Sequence, residues 1–582
     1  MKEVLFSNRL LKISKKNNAL KSKLILYSFF RLISFLLFLS SLIIPYLQKS
    51  SEIGYIPSLF FFGIFFWCIK THSKIRKFQD DLENYSAWLK QESGRLARDF
   101  SKLPNEKIPE GIRAEDFPIF SDLDFAGNTG IWKWIDVSGT ISGKKKLWSF
   151  LFQSESFSKD EILSRQVFLQ NFSNLKYKNL SILSKLSLFP QSLDLKSIRE
   201  TLRCETQFWW ISFLRFLPIL TWASVTLGIF GIYSVFTFFL LLQVAISSVY
   251  VSKNYETRKR EWELETHLEK ICKLLQVLKN NSHSRKNFKT LLSIFENKKL
   301  CESPGGMFFW NSFFLLEVRM FHGFQKWYKT FGASFHELLS ELEEIDSVLS
   351  LSYLKILHPE TSFPILSKND ISLSAQEIFH PLIPPEQLVK NPLETVQTKK
   401  PILITGSNMS GKTTFIRSIG VNSILGMAGG PVFGKEFHLP FVEIFSSIRN
   451  SDNLLESTSY FYAEVKTIAR IWKHCQKSSG DRTNLLLLDE ILKGTNSYER
   501  NLATRKLIET WKEKDLFLFI TTHDLELTKL KGIVLKYFQD DVVGTSMHFD
   551  YKIRTGVLVS TNALKVLEKE GVVFSESIND LV

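Results

Sequence analysis

The sequence is poor in cysteine and shows no cysteine pairing pattern. Its five cysteines (Cys68, Cys204, Cys272, Cys301 and Cys475) are scattered, odd in number and form no CxxC. That excludes a secreted disulfide framework and reads as reduced thiols. The eleven histidines show no HExxH or comparable ligand spacing, so no zinc site is expected. Internal repeats and low-complexity tracts are absent as well. What is abundant is phenylalanine, with 51 residues, and positive charge, with a formal net charge of +15. A chain of 582 residues exceeds one hydrophobic core, so several units are expected. The charge permits nucleic acid or an anionic membrane surface as a partner and does not choose between them.

The phenylalanines concentrate in apolar runs. "LISFLLFLSSLIIPYL" (Leu32 to Leu47), extended back to Leu24, carries Arg31 as its one charge, and "IPSLFFFGIFFWCI" (Ile56 to Ile69) follows after a short turn. A second pair joins "FLPILTWASVTLGIFGI" (Phe216 to Ile232) to "SVFTFFLLLQVAISSVYV" (Ser234 to Val251). Both read as transmembrane hairpins, although runs this short also fit core helices of a large soluble protein. Lysines and arginines flank both ends of each pair, among them Lys21, Lys23, Lys70, Lys74, Arg215 and Arg258. By the positive-inside rule the ends face the cytoplasm. The long basic arm and the missing A-x-A site argue against a cleaved signal peptide. Farther on, helical periodicity appears at Leu264, Leu268, Ile271, Leu275 and Leu278, and again at Leu338, Leu342, Ile345 and Leu349. From about Leu373 strand and helix signals alternate, as in a parallel α/β sheet.

Three strand ends carry the chemistry. After "PILIT" comes Gly406-Ser407-Asn408-Met409-Ser410-Gly411-Lys412-Thr413-Thr414, a GxxxxGK[ST] loop that opens a helix. Gly406 and Gly411 allow backbone N–H groups to wrap phosphates, Lys412 reaches the β- and γ-phosphates of a nucleoside triphosphate, and Thr413 coordinates Mg²⁺. "NLLLLDEI" is a buried strand ending in Asp489, a second metal ligand, and Glu490, which orients water. "LFLFITTH" brings Thr522 and His523 to the same edge, where His523 senses the γ-phosphate. Lys412, Glu490 and His523 are therefore the candidate catalytic set, and ATP or GTP with Mg²⁺ the expected cofactors.

These residues resemble one family. "TGSNMSGKTTFIRSIG" is similar to the TGPNMGGKST loop of MutS-type DNA mismatch-repair ATPases, "DNLLESTSYFYAEV" to DDLxxGxSTFxxEM, "LLLLDEILKGTNSYE" to DExxxGTSTxDG, and "TTHDLELTKL" to ATHYxELTxL. "FHPLI" (Phe379 to Ile383) and the upstream "DVSGTISGKKKLWSFLFQS" and "LSRQVFLQNF" resemble further elements. The resemblance implies ATP hydrolysis in a homodimer, with Ser459 reaching the γ-phosphate held by the other subunit. It departs at Ser407, Ser410 and Tyr460, and at Leu388, where the family often stacks an aromatic on adenine. The mismatch-reading module and a terminal nuclease-like domain are missing from the pattern, so any DNA contact is expected to lack mismatch specificity. "FHE" at Phe335 to Glu337 lies within a helical segment and reads as chance.

The expected architecture is multi-domain: a helical lever/core region, a C-terminal α/β P-loop NTPase and two transmembrane hairpins. The divisions are a basic cytoplasmic arm (1–23), a transmembrane hairpin (24–70), a helical linker (71–110) and a first core segment (111–207). A second hairpin (208–252), a helical lever/core (253–372) and the ATPase domain (373–582) follow. The expected location is the inner (cytoplasmic) membrane, with the ATPase in the cytoplasm. An ABC-type half-transporter is the alternative, disfavoured because no LSGGQ precedes "NLLLLDE".

Overall fold

The computed structural model describes residues 2–47, 56–105, 108–112, 117–152, 157–174, 194–202, 216–229, 233–253, 287–295, 314–367, 372–407, 409–448, 460–476, 482–492, 494–543 and 546–557, with isolated positions between 182 and 310. Two compact units divide the chain near residue 106.

The first unit is a pair of long helices, α1 (Lys2–Leu47) and α2 (Ile56–Ala97). No proline or glycine interrupts α1 before Pro45, and Pro57 falls in the first turn of α2, where a missing N–H costs nothing. Basic arm and apolar run are thus one continuous helix, as are apolar run and linker. The boundaries expected at residues 23 and 70 mark changes in side-chain chemistry, which leave the backbone ladder unbroken. The helices run antiparallel. Asn17 Nδ2 donates to Glu83 Oε1 at 3.1 Å, Ser28 Oγ meets His72 Nε2 at 3.2 Å, and Phe38 packs on Phe62 with centroids 5.3 Å apart. Among the described residues, Phe6–Pro45 is the one stretch long and apolar enough to cross a membrane, by length and composition alone.

The second unit opens with short helices α3 (Pro118–Asp122) and α4 (Ile131–Ile135), then α5 (Ile141–Phe152), α6 (Lys159–Asn174) and α7 (Leu195–Leu202). The second apolar pair forms α8 (Leu217–Ile229) and α9 (Tyr233–Lys253). With 13 residues, α8 rises about 20 Å, less than the ~30 Å of a bilayer core. The segment lettered Leu264 to Leu278 lies partly outside the described residues; Leu268, Ile271 and Leu275 are buried.

Helix α10 (Leu316–Leu357) is the lever-like element. Leu338, Leu342 and Leu349 are buried along one face, as is Phe335 of the "FHE" triplet, which packs edge-on against Trp327. From the same helix Asp346 reaches across to the start of α5. Its carboxylate accepts the Gly139 and Thr140 N–H groups at 3.0 and 2.9 Å and the Thr140 hydroxyl at 2.6 Å. A side chain from a distant helix therefore satisfies free donors at another helix's N-terminus. The fit is close: a Cβ on Gly143 would stand 2.1 Å from Asp346 Oδ2. Burial raises the Asp346 pKa to about 6.

Two sheets complete the unit. A smaller one has the order β1-β6-β2-β3, with β5 paired to β2; it comprises β1 (Ile365–Ser367), β2 (Ser372–Ile378), β3 (Asn391–Gln397), β5 (Gly434–Lys435) and β6 (His438–Pro440). The larger has the order β11-β10-β4-β9-β8-β7. Its strands are β4 (Ile402–Thr405), β7 (Val442–Ser447), β8 (Thr483–Asp489), β9 (Leu516–Thr521), β10 (Val534–Val543) and β11 (Ser546–Thr555). All neighbours are parallel except β10 and β11. Helices α11 (Lys412–Met427), α12 (Tyr460–Gln476) and α13 (Ser497–Lys512) complete the α/β alternation. Leu485 to Leu488 are each fully buried, as central parallel strands covered by helices require.

Candidate functional site

Strand register sets the site. Ile404 of β4 and Asp489 of β8 both pair with Thr521 of β9, so three strand ends finish in one row. The loop after β4 leaves that row with Gly406 at φ +146° and Gly411 at φ +109°. At Gly406 a Cβ would meet the Phe538 carbonyl and Ser410 Oγ at 2.9 Å, so only glycine fits. Ser410 is buried and its hydroxyl donates to the Ser407 carbonyl at 2.9 Å, tying the loop to itself. Met409 sits at the apex, 84% exposed, and Thr414 lies exposed in the first turn of α11. Asn408 and Ser459 lie outside the described residues.

Lys412 begins α11 buried beneath the loop. Its Nζ donates to the Gly406 carbonyl at 2.9 Å and the Ser407 carbonyl at 2.7 Å. The lysine thus occupies the concavity that its loop encloses. Beside it, Thr413 Oγ1 lies 3.1 and 3.0 Å from the two Asp489 carboxylate oxygens. The Thr521 hydroxyl also donates to Asp489 Oδ1. Sequence reasoning missed Thr521; the signal was its place as the residue of β9 that pairs with Asp489.

Glu490 follows with φ +46°, a left-handed conformation unusual for a residue with a side chain. Its Oε1 is 2.5 Å from His523 Nε2. His523 is therefore held against the carboxylate that follows β8. Lys412 Nζ lies 3.4 Å from the same nitrogen, a further partner beside the two loop carbonyls. Leu492, at φ +62°, is fixed through its N–H, which donates to buried Glu464 Oε1 at 2.5 Å. A small cavity lined by Glu490, Thr522, His523, Arg500 and Asn501 opens beside this pair.

The arrangement suits a polyphosphate with a hard cation. Among the described residues no three His, Cys, Asp or Glu side chains converge as a metal cage. A hydroxyl and one carboxylate are the donor set Mg²⁺ takes when phosphate oxygens and water complete its shell. Behind the site, Asn422 of α11 bonds the Phe379 carbonyl and the Phe433 N–H, and His380 is buried 3.9 Å from Asp124. Burial, then the charge of Arg417, hold the His380 pKa near 4 against the pull of Asp124. Leu388 follows a short 3₁₀ turn, Pro385–Gln387.

The mainly parallel sheet thus presents a glycine loop, a hydroxyl–carboxylate pair and a carboxylate on left-handed backbone at its carboxyl edge. Comparison narrows the class. Residues 402–575 match the family described as MutS domain V. Over 250 residues the chain is 30% identical to "Endonuclease MutS2" of Thermotoga neapolitana, covering 40% of this chain and 32% of that protein. It is 30% identical to "DNA mismatch repair protein MutS" of Pseudothermotoga lettingae over 239 residues, 40% of this chain and 28% of that one. "DNA mismatch repair protein MSH3" of Candida glabrata shares 28% identity over 250 residues, 40% of this chain and 24% of its own length. The chain spans a third or less of each relative. Together these matches make the C-terminal part of the chain similar to MutS domain V and to proteins of the MutS kind.

Proposed function

We propose that this chain is a MutS-like ATPase that holds Mg²⁺·ATP on the Gly406–Thr413 loop and hydrolyses it in a site completed by a second copy. The observation that carries the reading is the convergence of Lys412, Thr413, Asp489, Glu490 and His523 at one sheet edge. Lys412 turns from its loop carbonyls to the phosphates, and Thr413 with Asp489 holds the cation. Magnesium, when bound, neutralises charge on the phosphate oxygens. Glu490 orients and deprotonates water, and His523 fixes the Glu490 carboxylate while facing the terminal phosphate. Met409 is exposed on the loop, as are Tyr462 and Tyr498 in the first turns of α12 and α13; the partner copy covers this side of the site, and Ser459 acts across that interface.

The α1–α2 hairpin, together with α8–α9, attaches the ATPase to the inner membrane from its cytoplasmic side. Exposed Leu32, Leu36, Ile44, Phe60 and Trp67 support this. The α8–α9 pair has the same polarity. Its hydrogen-bonded Thr221 and Gln243 are buried, while Phe238 and Leu241 face outward. Duplex DNA is engaged through phosphates, with binding that falls steeply with salt and ignores mismatches. The half-transporter reading is set aside because the matched family and relatives are of the MutS kind.

Lys412→Ala is expected to weaken ATP binding by on the order of 100-fold or more through loss of charge-assisted bonds. Glu490→Gln is expected to keep ATP bound while turnover falls by roughly 100-fold or more. Binding titration and single-turnover hydrolysis check both. Parental turnover in the Glu490→Gln protein would remove the role assigned to Glu490.

A further inference from the structure

The α1–α2 hairpin changes character at one level, where Ser28 meets His72. Beyond it, Leu32, Leu36, Ile44 and Phe60 are exposed; on the other side, Asn17 pairs with Glu83. Tyr27 and Trp67 pack edge to face at this level, centroids 6.1 Å apart. Amphipathic aromatics of this kind favour a membrane–water boundary.

The charge at this level has one sign. Between Val4 and Gln79 the sole acidic residue is Glu52, which lies outside the described residues. Lys21, Lys23, Arg31, Lys70, Lys74 and Arg76 are all exposed, and none forms an ion pair among the described residues. Arg31 stands one turn beyond Ser28, and Arg76 one turn behind His72 in the antiparallel partner, so the two arginines bracket the Ser28–His72 contact along the hairpin. Their fields converge on the imidazole. Burial first, then the charges of Arg31 and Arg76, hold the His72 pKa below its usual value. Lys21 has the Glu83 carboxylate within its field; the other cations around this apolar rod have no carboxylate partner among the described residues and call for an anion at a fixed depth.

We propose that this level of the hairpin is a binding belt for the phosphate groups of anionic phospholipids, with Arg31 and Arg76 its central contacts. The inference rests on the membrane attachment proposed above. It adds that the attachment selects lipid by charge. Each arginine lost near an anionic surface is expected to weaken the preference about 5-fold.

The test uses the full chain purified in detergent, then floated with vesicles of phosphatidylcholine alone or of phosphatidylcholine with roughly one third phosphatidylglycerol, at low and high salt. The parent is expected to favour the anionic vesicles at least ~10-fold at low salt. The Arg31→Gln/Arg76→Gln double variant is expected to lose most of that preference and still float with neutral vesicles. A Lys435→Gln/Lys473→Gln chain, with the same change in net charge outside the hairpin, is expected to keep it. Equal partition of the parent into both vesicles overturns the belt and leaves the anchor standing. A preference that survives in the arginine variant, or falls equally in the lysine variant, overturns the assignment to this level. Failure to float with either lipid removes the membrane attachment and the belt together.

Discussion

The larger sheet and the α1–α2 hairpin solve opposite packing problems. In the sheet, Leu485 to Leu488 and Phe517 to Ile520 are buried, and polar groups gather where the strands end. In the hairpin, leucines and phenylalanines face outward, while Ser34 and Ser58 are buried. Water around the sheet makes apolar burial the dominant stabilising term. An outward apolar surface on a helix pair would be costly in water and is stable in lipid, where packing and hydrogen bonds between helices take over. On this account one polypeptide is folded against two solvents.

The comparison is broken most severely at the site. A Ser459→Arg chain and a Lys412→Ala chain are each expected to be inactive, whereas a mixture that forms hybrid dimers contains one site with an intact loop and an intact serine. Steady-state hydrolysis of the mixture should therefore recover a measurable fraction of parental activity. Silent hybrid dimers would mean that each chain works alone.

A charge placed on the lipid-facing surface sharpens the contrast. Leu37 is 42% exposed on α1, so in water Leu37→Arg would be harmless. In a bilayer the same change costs about 3 kcal/mol, which should lower the equilibrium constant for partition into vesicles on the order of 100-fold while the melting of the α/β unit stays put. An unchanged constant would argue for an aqueous surface.

Acid acts on the second unit by a smaller amount. The folded chain refuses a proton that unfolded His380 accepts, so the stability this residue contributes is complete above about pH 6.5 and is lost as pH falls toward its folded pKa of about 4. Between neutral pH and pH 4, the stability of the parent relative to His380→Asn, read by denaturant unfolding, should fall by up to roughly 3 kcal/mol. Asp346, raised to about 6, opposes this. Its carboxyl costs nothing when protonated and destabilises increasingly as pH rises from about 4 to 6, so the parent's own profile is flattened. The variant should then grow less stable from pH 4 to pH 6.

How much of this was legible in the sequence follows from physics that is local or distant. "PILIT", "NLLLLD" and "LFLFIT" announced buried strands because uninterrupted apolar runs need cover on both faces, and glycine spacing announced the loop between Gly406 and Gly411. Their juxtaposition was harder to read. Asp489 and Thr521 meet through strand register, and Asp346 caps Gly139 and Thr140 from 206 residues away along the chain. Hydropathy marks changes of side-chain chemistry at residues 23 and 70, and both fall inside single helices. The positive φ of Glu490 has no letter in the sequence.

The account's central claim is that the chain is held by lipid at one end while its sheet works in water. Native membranes washed in high salt, then alkali, then detergent, with ATP hydrolysis assayed in each fraction, test it most directly. The account predicts that the full chain stays in the pellet through salt and alkali, enters solution with detergent and brings with it an ATPase activity that Lys412→Ala lacks. Release of the whole chain by salt alone would contradict it.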